Sequence, residues 1–323
     1  MSRSSSISDT RPGAALSNAL DKFDSNLGGC METVTARVLR EGLIFGEDPR
    51  WHEGRLWFSD FYRRGIYSMD ARGDERLEHV VEGQPSGLGW LPDGDLLCVS
   101  MLDHQVLRFH DGKPSLFCDI SPYCGFWAND MVTSARGFSY VGNFGFDLHL
   151  MLREVGAAGM LENRPPTANL VVISPAGDVV QVVPDMDFPN GSVITPDGTT
   201  LIVGETLSCR LSAFDIAEDG TLSNRRVWAQ LEFVYNDGIC LDAEGQIWVA
   251  NAVAPHCLRV REGGEITGMV ETSQLSFACM LGGDDRRSLF VMTAPTSDRF
   301  EIAEKHEGRI EVAEVAVPGA GLP

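Results

Sequence analysis

A turn, a short apolar strand and a second strand behind it recur along this chain of 323 residues. The turns read His52-Glu53-Gly54, Pro92-Asp93-Gly94, Pro196-Asp197-Gly198, Asp242-Ala243-Glu244-Gly245 and Gly283-Asp284-Asp285. Arg55-Leu56-Trp57-Phe58-Ser59, Asp95-Leu96-Leu97-Cys98-Val99-Ser100, Thr200-Leu201-Ile202-Val203-Gly204, Gln246-Ile247-Trp248-Val249-Ala250 and Ser288-Leu289-Phe290-Val291-Met292 follow them in that order. Apolar and β-branched runs bounded by Gly and Asp are strand and hairpin signals. Ser134-Ala135-Arg136-Gly137, ahead of Phe138-Ser139-Tyr140-Val141-Gly142, supplies the remaining unit. Six units spaced by roughly 40 to 60 residues predict an all-β, six-bladed β-propeller over residues 31–323. A four-stranded blade cannot bury both faces alone, so the six must close into a ring.

Two segments depart from this pattern. Residues 1–30 form an extension in which Leu16, Leu20, Phe23 and Leu27 have helical spacing, closed by Gly28-Gly29. Leu148 to Met160, followed by Pro165-Pro166, is a helical insertion within the third unit. Either segment is a candidate contact for a homo-oligomer, and the 148–166 insertion is also placed to act as a lid.

Closure has a chemical consequence. The innermost strand of each blade lines a central channel, so polar residues opening those strands converge on one axis. Gly46-Glu47-Asp48-Pro49, Trp127-Ala128-Asn129-Asp130, Pro189-Asn190-Gly191 and Asn236-Asp237-Gly238 occupy corresponding places ahead of apolar runs. Taken singly, Asn-Gly and Asp-Gly pairs are turn formers. Their return at one phase in several repeats favours a shared site. Two carboxylates and two amides on one axis make an all-oxygen site suited to one divalent cation such as Ca²⁺, Mg²⁺ or Mn²⁺, with Zn²⁺ admissible through the carboxylates. Buried Glu47 and Asp237 need such a partner, because an unpaired buried carboxylate is strongly disfavoured.

At these residues the chain resembles the SMP-30 (regucalcin), gluconolactonase and luciferin-regenerating enzyme family of six-bladed propellers. The resemblance runs from about residue 40 to the end. It is carried by GEDPRWHEGRLWFSD from Gly46, WANDM from Trp127, YVGNFGFD from Tyr140, FPNGSVITPDGTTLIVGET from Phe188, NDGICLDAEGQIWVAN from Asn236 and ACMLGGDDRRSLFVMTA from Ala278. It implies one divalent metal, Ca²⁺ first, with Glu47 and Asn190 as ligands and Asp237 as ligand and general base. Asn129 becomes a substrate-side or additional metal contact. Members acting on sugar lactones often carry Arg where this chain has Trp127, and the fifth motif often reads Pro-Asp-Gly where this chain has Asn236-Asp237-Gly238. Trp127, with Phe144 and Phe146, implies a substrate pocket more aromatic than a polyol needs.

The implied chemistry is metal-assisted hydrolysis of a small lactone or cyclic ester. The same pocket could serve phosphotriester hydrolysis, a lyase reaction or a biosynthetic rearrangement, and a noncatalytic calcium-binding propeller is the reading outside enzymes. Carboxylates held on the axis favour the enzyme. His149 is a candidate proton shuttle, Asp147 a substrate contact or helix cap, and Glu205 a channel residue or a hairpin pair. His52 and His104 are expected to be solvated, and Arg225-Arg226 to be a surface pair. Serine-hydrolase, zincin and nucleotide-loop motifs are absent.

Acidic residues number 46 against 26 basic, a formal charge of -20. Nucleic acid and anionic membrane surfaces are therefore poor partners, and a small-molecule substrate is expected. Arg3 and the Ser4-Ser5-Ser6 run lead into no apolar stretch, and eight scattered cysteines contain no C-x-x-C pair. Both favour a cytoplasmic protein with reduced thiols.

Overall fold

The computed structural model describes residues 31–70 and 72–322, so the helix expected in the N-terminal extension lies outside the described residues. The units expected from the repeats appear as six antiparallel sheets. In the first five blades the strands run in chain order from the axis outward. The first blade, for example, comprises Gly46–His52, Arg55–Asp60, Gly65–Met69 and Glu75–Val80. The innermost strands that follow are Pro85–Trp90, Ala128–Thr133, Pro189–Ile194, Asn236–Leu241 and Leu275–Gly282. Each packs against its two neighbours, and the sixth returns to the first. This is a six-bladed β-propeller.

The ring is closed by a strand the repeat count does not assign. Arg37–Leu43 pairs antiparallel with Gly308–Glu314 and becomes the outer strand of the sixth blade. Glu32–Thr35 continues outward as a fifth, parallel strand on the fifth blade, against Ile266–Glu271. The first described strands are thereby tied into the last two blades, and Arg37–Leu43 gives the sixth blade its fourth strand.

The core consists of layers between blades. Ile66, Leu88, Leu96 and Phe109 fill the first gap, and Leu97, Val99, Met131 and Val171 the second. Tyr140, Leu201, Val203 and Phe214 fill the third, and Val193, Ile202, Ile239 and Val249 the fourth. One larger cluster, including Phe58, Met69, Trp248, Cys279, Phe290 and Ile310, joins the fifth, sixth and first blades. Alternation along each strand sends successive side chains into opposite gaps, which is why the strands read as nearly continuous apolar runs.

The insertion is a helix, Leu148–Glu162, capped by Asp147, whose side chain accepts from the Leu150 amide at 3.0 Å. Gly156 sits at φ 69°, outside helical geometry, and marks a kink. Leu148, Met151 and Met160 bind the helix to Phe144, Phe146, Phe188 and Leu207. A short helix, Arg299–Ile302, lies between the second and third strands of the sixth blade. Among the described residues no helix is long and apolar enough to cross a membrane. The seven described cysteines are free.

Candidate functional site

All six innermost strands carry a β-bulge near their start, in the first blade one residue later than in the second to fifth. The register slips by one residue between Glu47 and Arg50, Pro85 and Leu88, Ala128 and Met131, Pro189 and Ser192, Asn236 and Ile239, and Ser276 and Ala278. A bulge leaves one residue unpaired and re-aims its neighbours. As the second residue of its innermost strand, each of Glu47, Ser86, Asn129, Asn190 and Asp237 occupies one level of the ring in five blades. Asp48, Gly87, Asp130, Gly191 and Gly238 occupy the next.

The glycines of that second level are not turn residues. A Cβ on Gly191 would lie 2.5 Å from the Ile239 amide nitrogen, and one on Gly238 would lie 2.6 Å from the Ala278 Cβ. Neighbouring strands approach too closely there for a side chain. Asn190-Gly191 and Asp237-Gly238 therefore mark the inner wall of the ring, with glycine admitting the next blade.

One cavity of about 80 Å³ gathers Glu47, Trp127, Asn129, Asn190 and Asp237, the five residues singled out from the sequence. Phe45, Phe61, Tyr62, Met101, Phe144 and Phe188 make its apolar walls, and Leu148, His149 and Ser297 approach from the rim. Among the described residues, none of those lining this cavity is Lys or Arg. Phe144 stacks on Phe188 with ring centroids 4.7 Å apart. Phe146, expected at the pocket, instead packs beneath the insertion helix with Met160.

The donors are held by their own neighbours. The Asn190 side chain donates to Thr206 Oγ1 at 3.2 Å, and Thr206 donates to the Asn236 carbonyl at 2.8 Å. Asn190 Oδ1 accepts from the Gly191 amide at 2.9 Å, which orients the amide plane. Glu47 accepts from the Asp48 amide at 3.2 Å, and Ser86 Oγ lies 3.5 Å from Asn129 Oδ1. Asn236 reaches back to the Glu205 and Arg210 carbonyls and ties the fifth blade to the fourth.

The site is more acidic than the expected pair of carboxylates. Asp48 and Asp130, which the sequence reading passed over, lie one level deeper and are buried. Burial pushes Glu47 well above the usual carboxylate range, and Asp237 and Asp130 push it further. Burial raises Asp130 likewise, helped by Asp48 and Asp237. It raises Asp237 to about 7 against the lowering pull of the Asn190 amide. The nearby cation is Arg50, and it is committed to one of these carboxylates: it pairs with Asp48 at 2.5 Å and donates to the Leu88, Pro49 and Met131 carbonyls. Carboxylates that repel one another in a buried place, all presenting oxygen, fit a hard divalent cation by donor type and charge.

Two elements frame the mouth. Asp147 receives both outer nitrogens of Arg299, at 2.8 and 2.7 Å, and the guanidinium lies 4.8 Å from the Trp127 ring centre. Arg153 pairs with Asp298 at 3.0 Å. Asp147 is thus a helix cap and ion-pair partner, and an arginine does reach Trp127, from the sixth blade. His149 lines the cavity, with burial and the Arg299 charge lowering its pKa.

Other candidates fall outside the cavity. Glu205 is fully buried, bound to Arg210, Arg225, Ser212 and the Asp187 amide, so the hairpin pairing prevails and Arg225 is not simply a surface residue. His52 is half-buried and only partly solvated: its ring stacks on Trp90, 4.0 Å between centroids. His104 Nε2 is buried and makes no hydrogen bond.

The family model described as the SMP-30/gluconolactonase/LRE-like region matches residues 45–295. Regucalcin of Gallus gallus is 30% identical over 257 residues, 77% of this chain and 83% of the relative. The crystal structure of a calcium-binding regucalcin from Agrobacterium tumefaciens superposes with a TM-score of 0.73 at 21% identity, over 92% of this chain and 99% of that one. A gluconolactonase from Xanthomonas campestris superposes at 0.64 with 20% identity, over 89% and 90%. These structural likenesses bear on the fold.

Proposed function

This chain belongs to the SMP-30/gluconolactonase/LRE-like family, and on that premise we propose that it is a divalent-metal-dependent hydrolase of a small lactone or cyclic ester. The observation that carries the reading is the meeting of Glu47, Asn129, Asn190 and Asp237, from four separate blades, in one aromatic-walled cavity. Glu47, Asn190 and Asp237 are assigned as the ligands of one cation, Ca²⁺ first and Mg²⁺, Mn²⁺ or Zn²⁺ after it. Asn129 and Trp127 are assigned to the substrate. When bound, the cation supplies a Lewis acid that polarises the ester carbonyl and stabilises the negative charge developing on its oxygen.

The chain's own groups do the rest. An Asp237 carboxylate oxygen accepts a proton from the attacking water, whose oxygen bonds to the carbonyl carbon. The ring C–O bond then breaks, and the leaving alkoxide takes up a proton to give a hydroxy acid. Asn190, held by Thr206 and Gly191, keeps Asp237 oriented, and Asn129 positions the ester. The aromatic walls exclude bulk water, which strengthens every charge interaction inside. The free thiols agree with a cytoplasmic setting.

Purified protein should hydrolyse members of a lactone and ester panel, lose that activity on exhaustive chelation, and regain it with divalent cation. Activity that survives metal removal would sink the proposal. A calcium-binding propeller without turnover is the alternative, favoured by the calcium-binding description of the Agrobacterium regucalcin. It predicts calorimetric Ca²⁺ binding with no hydrolysis of any ester tested.

Stability should report the same charges. In the metal-free protein Asp237 keeps its proton up to about pH 7, whereas an unfolded aspartate loses it near pH 3.9. Between those values the unfolded chain gains by ionising and the folded chain does not. Stability therefore falls as pH rises through that window and levels off above it. Chelated protein should melt lower at pH 8 than at pH 5, and Ca²⁺ should raise the melting temperature more at pH 8. Equal melting of chelated protein at both values would count against buried, uncompensated carboxylates.

A further inference from the structure

A second cavity, about 270 Å³, lies under the insertion helix and adjoins the first. The two share Leu148, Phe188, Thr206, Ala252 and Ser297 as wall residues, so they lie side by side with a single layer of side chains between their centres. Leu152, Met160, Pro165, Leu207 and Val253 make much of the second chamber's wall. Its charged wall residues, Arg164 and Asp187, bind each other at 2.7 Å and offer no unpaired charge. Leu152 leaves 37% of its surface exposed beside this space, an arrangement that gains from an apolar occupant.

The two chambers differ in chemistry. The inner one holds the carboxylates and amides; the outer one is apolar and roomier. A compact polyol would find partners in the inner chamber but none in most of the outer one, where its hydroxyls would meet hydrocarbon walls. We propose that the outer chamber is the subsite for an apolar alkyl arm, which makes the substrate an amphiphilic lactone with its ring at Asp237 and its arm under helix Leu148–Glu162. This assignment rests on the hydrolase reading above and names its substrate class.

Transfer of each methylene from water into such a chamber is worth roughly fourfold in kcat/KM. In metal-loaded full-length protein, kcat/KM should therefore climb by roughly two- to fourfold per methylene from γ-hexalactone through γ-octalactone to γ-decalactone. Leu152→Glu and Val253→Glu place a charge in the chamber. Each should cut the γ-decalactone to γ-butyrolactone specificity ratio at least tenfold, with circular dichroism and melting temperature checking the fold. Short lactones hydrolysed with no dependence on arm length would overturn the subsite and leave the hydrolase standing. If no lactone is hydrolysed, the hydrolase reading fails, and calorimetric binding of γ-decalactone decides the chamber by itself. Binding that Leu152→Glu weakens tenfold supports an apolar-arm site; no binding overturns it.

Discussion

Asp237→Asn is expected to lower kcat by about 10²- to 10⁴-fold with cation bound, the usual contribution of a positioned general base. Asparagine keeps the volume and one oxygen donor but cannot take a proton from water. Burial raises Asp237 to about 7 in the metal-free protein, and a bound cation would lower it and leave the carboxylate ionised at neutral pH, as a base requires. The measurement is single-turnover hydrolysis alongside metal content by atomic emission, since only metal-loaded variant tests the base. Turnover within threefold of wild type would hand proton removal to another group. Glu47→Gln provides the contrast: its main loss should be in cation affinity.

Glu205→Ala is expected to cost about 3–5 kcal/mol of stability, the penalty for breaking a buried ion pair from one side. Out of a typical total of about 5–15 kcal/mol that loss is severe. Glu205 accepts from Arg210 at 2.9 Å, from Arg225 at 2.8 Å and from the Asp187 amide at 2.8 Å, at the joint where the fourth blade's second strand ends. Alanine would leave two guanidinium groups and a buried N–H without their acceptor. Burial raises this carboxyl, but Arg210, the Asp187 amide, Ser212 and Arg225 outweigh it and bring it to about 2. With the folded pKa below the unfolded one, the contribution is full above about pH 4.5 and disappears as pH falls toward 2. Denaturant melts of wild type and variant should thus differ most at neutral pH and converge in acid. A constant difference across pH would refute the ionised network.

The repeat was legible because it is local. Turn chemistry at Pro92-Asp93-Gly94 and Pro196-Asp197-Gly198, and the apolar strands behind, depend on residues a few positions apart. The same phase argument singled out Glu47, Asn129, Asn190 and Asp237, which do line one cavity. Phase alone does not single out their neighbours Asp48 and Asp130, because strict strand alternation turns them away from the axis. The bulges at Glu47–Arg50 and Ala128–Met131 undo that alternation. The glycine in Asn190-Gly191 has a reason that no neighbouring residue announces: its lack of a Cβ admits the fifth blade.

Blade number, strand content and the phase of the polar positions belong to the chain as written, since alternation and turn propensity act over a handful of residues. Ring closure by Arg37–Leu43, the pairing of Arg299 with Asp147 and the adjacency of two chambers beneath the insertion helix arose on folding. So did the raised pKa values of Glu47, Asp130 and Asp237. Each of these needs groups far apart along the chain to come together and lose their water. Desolvation and charge proximity have no meaning until the ring is closed.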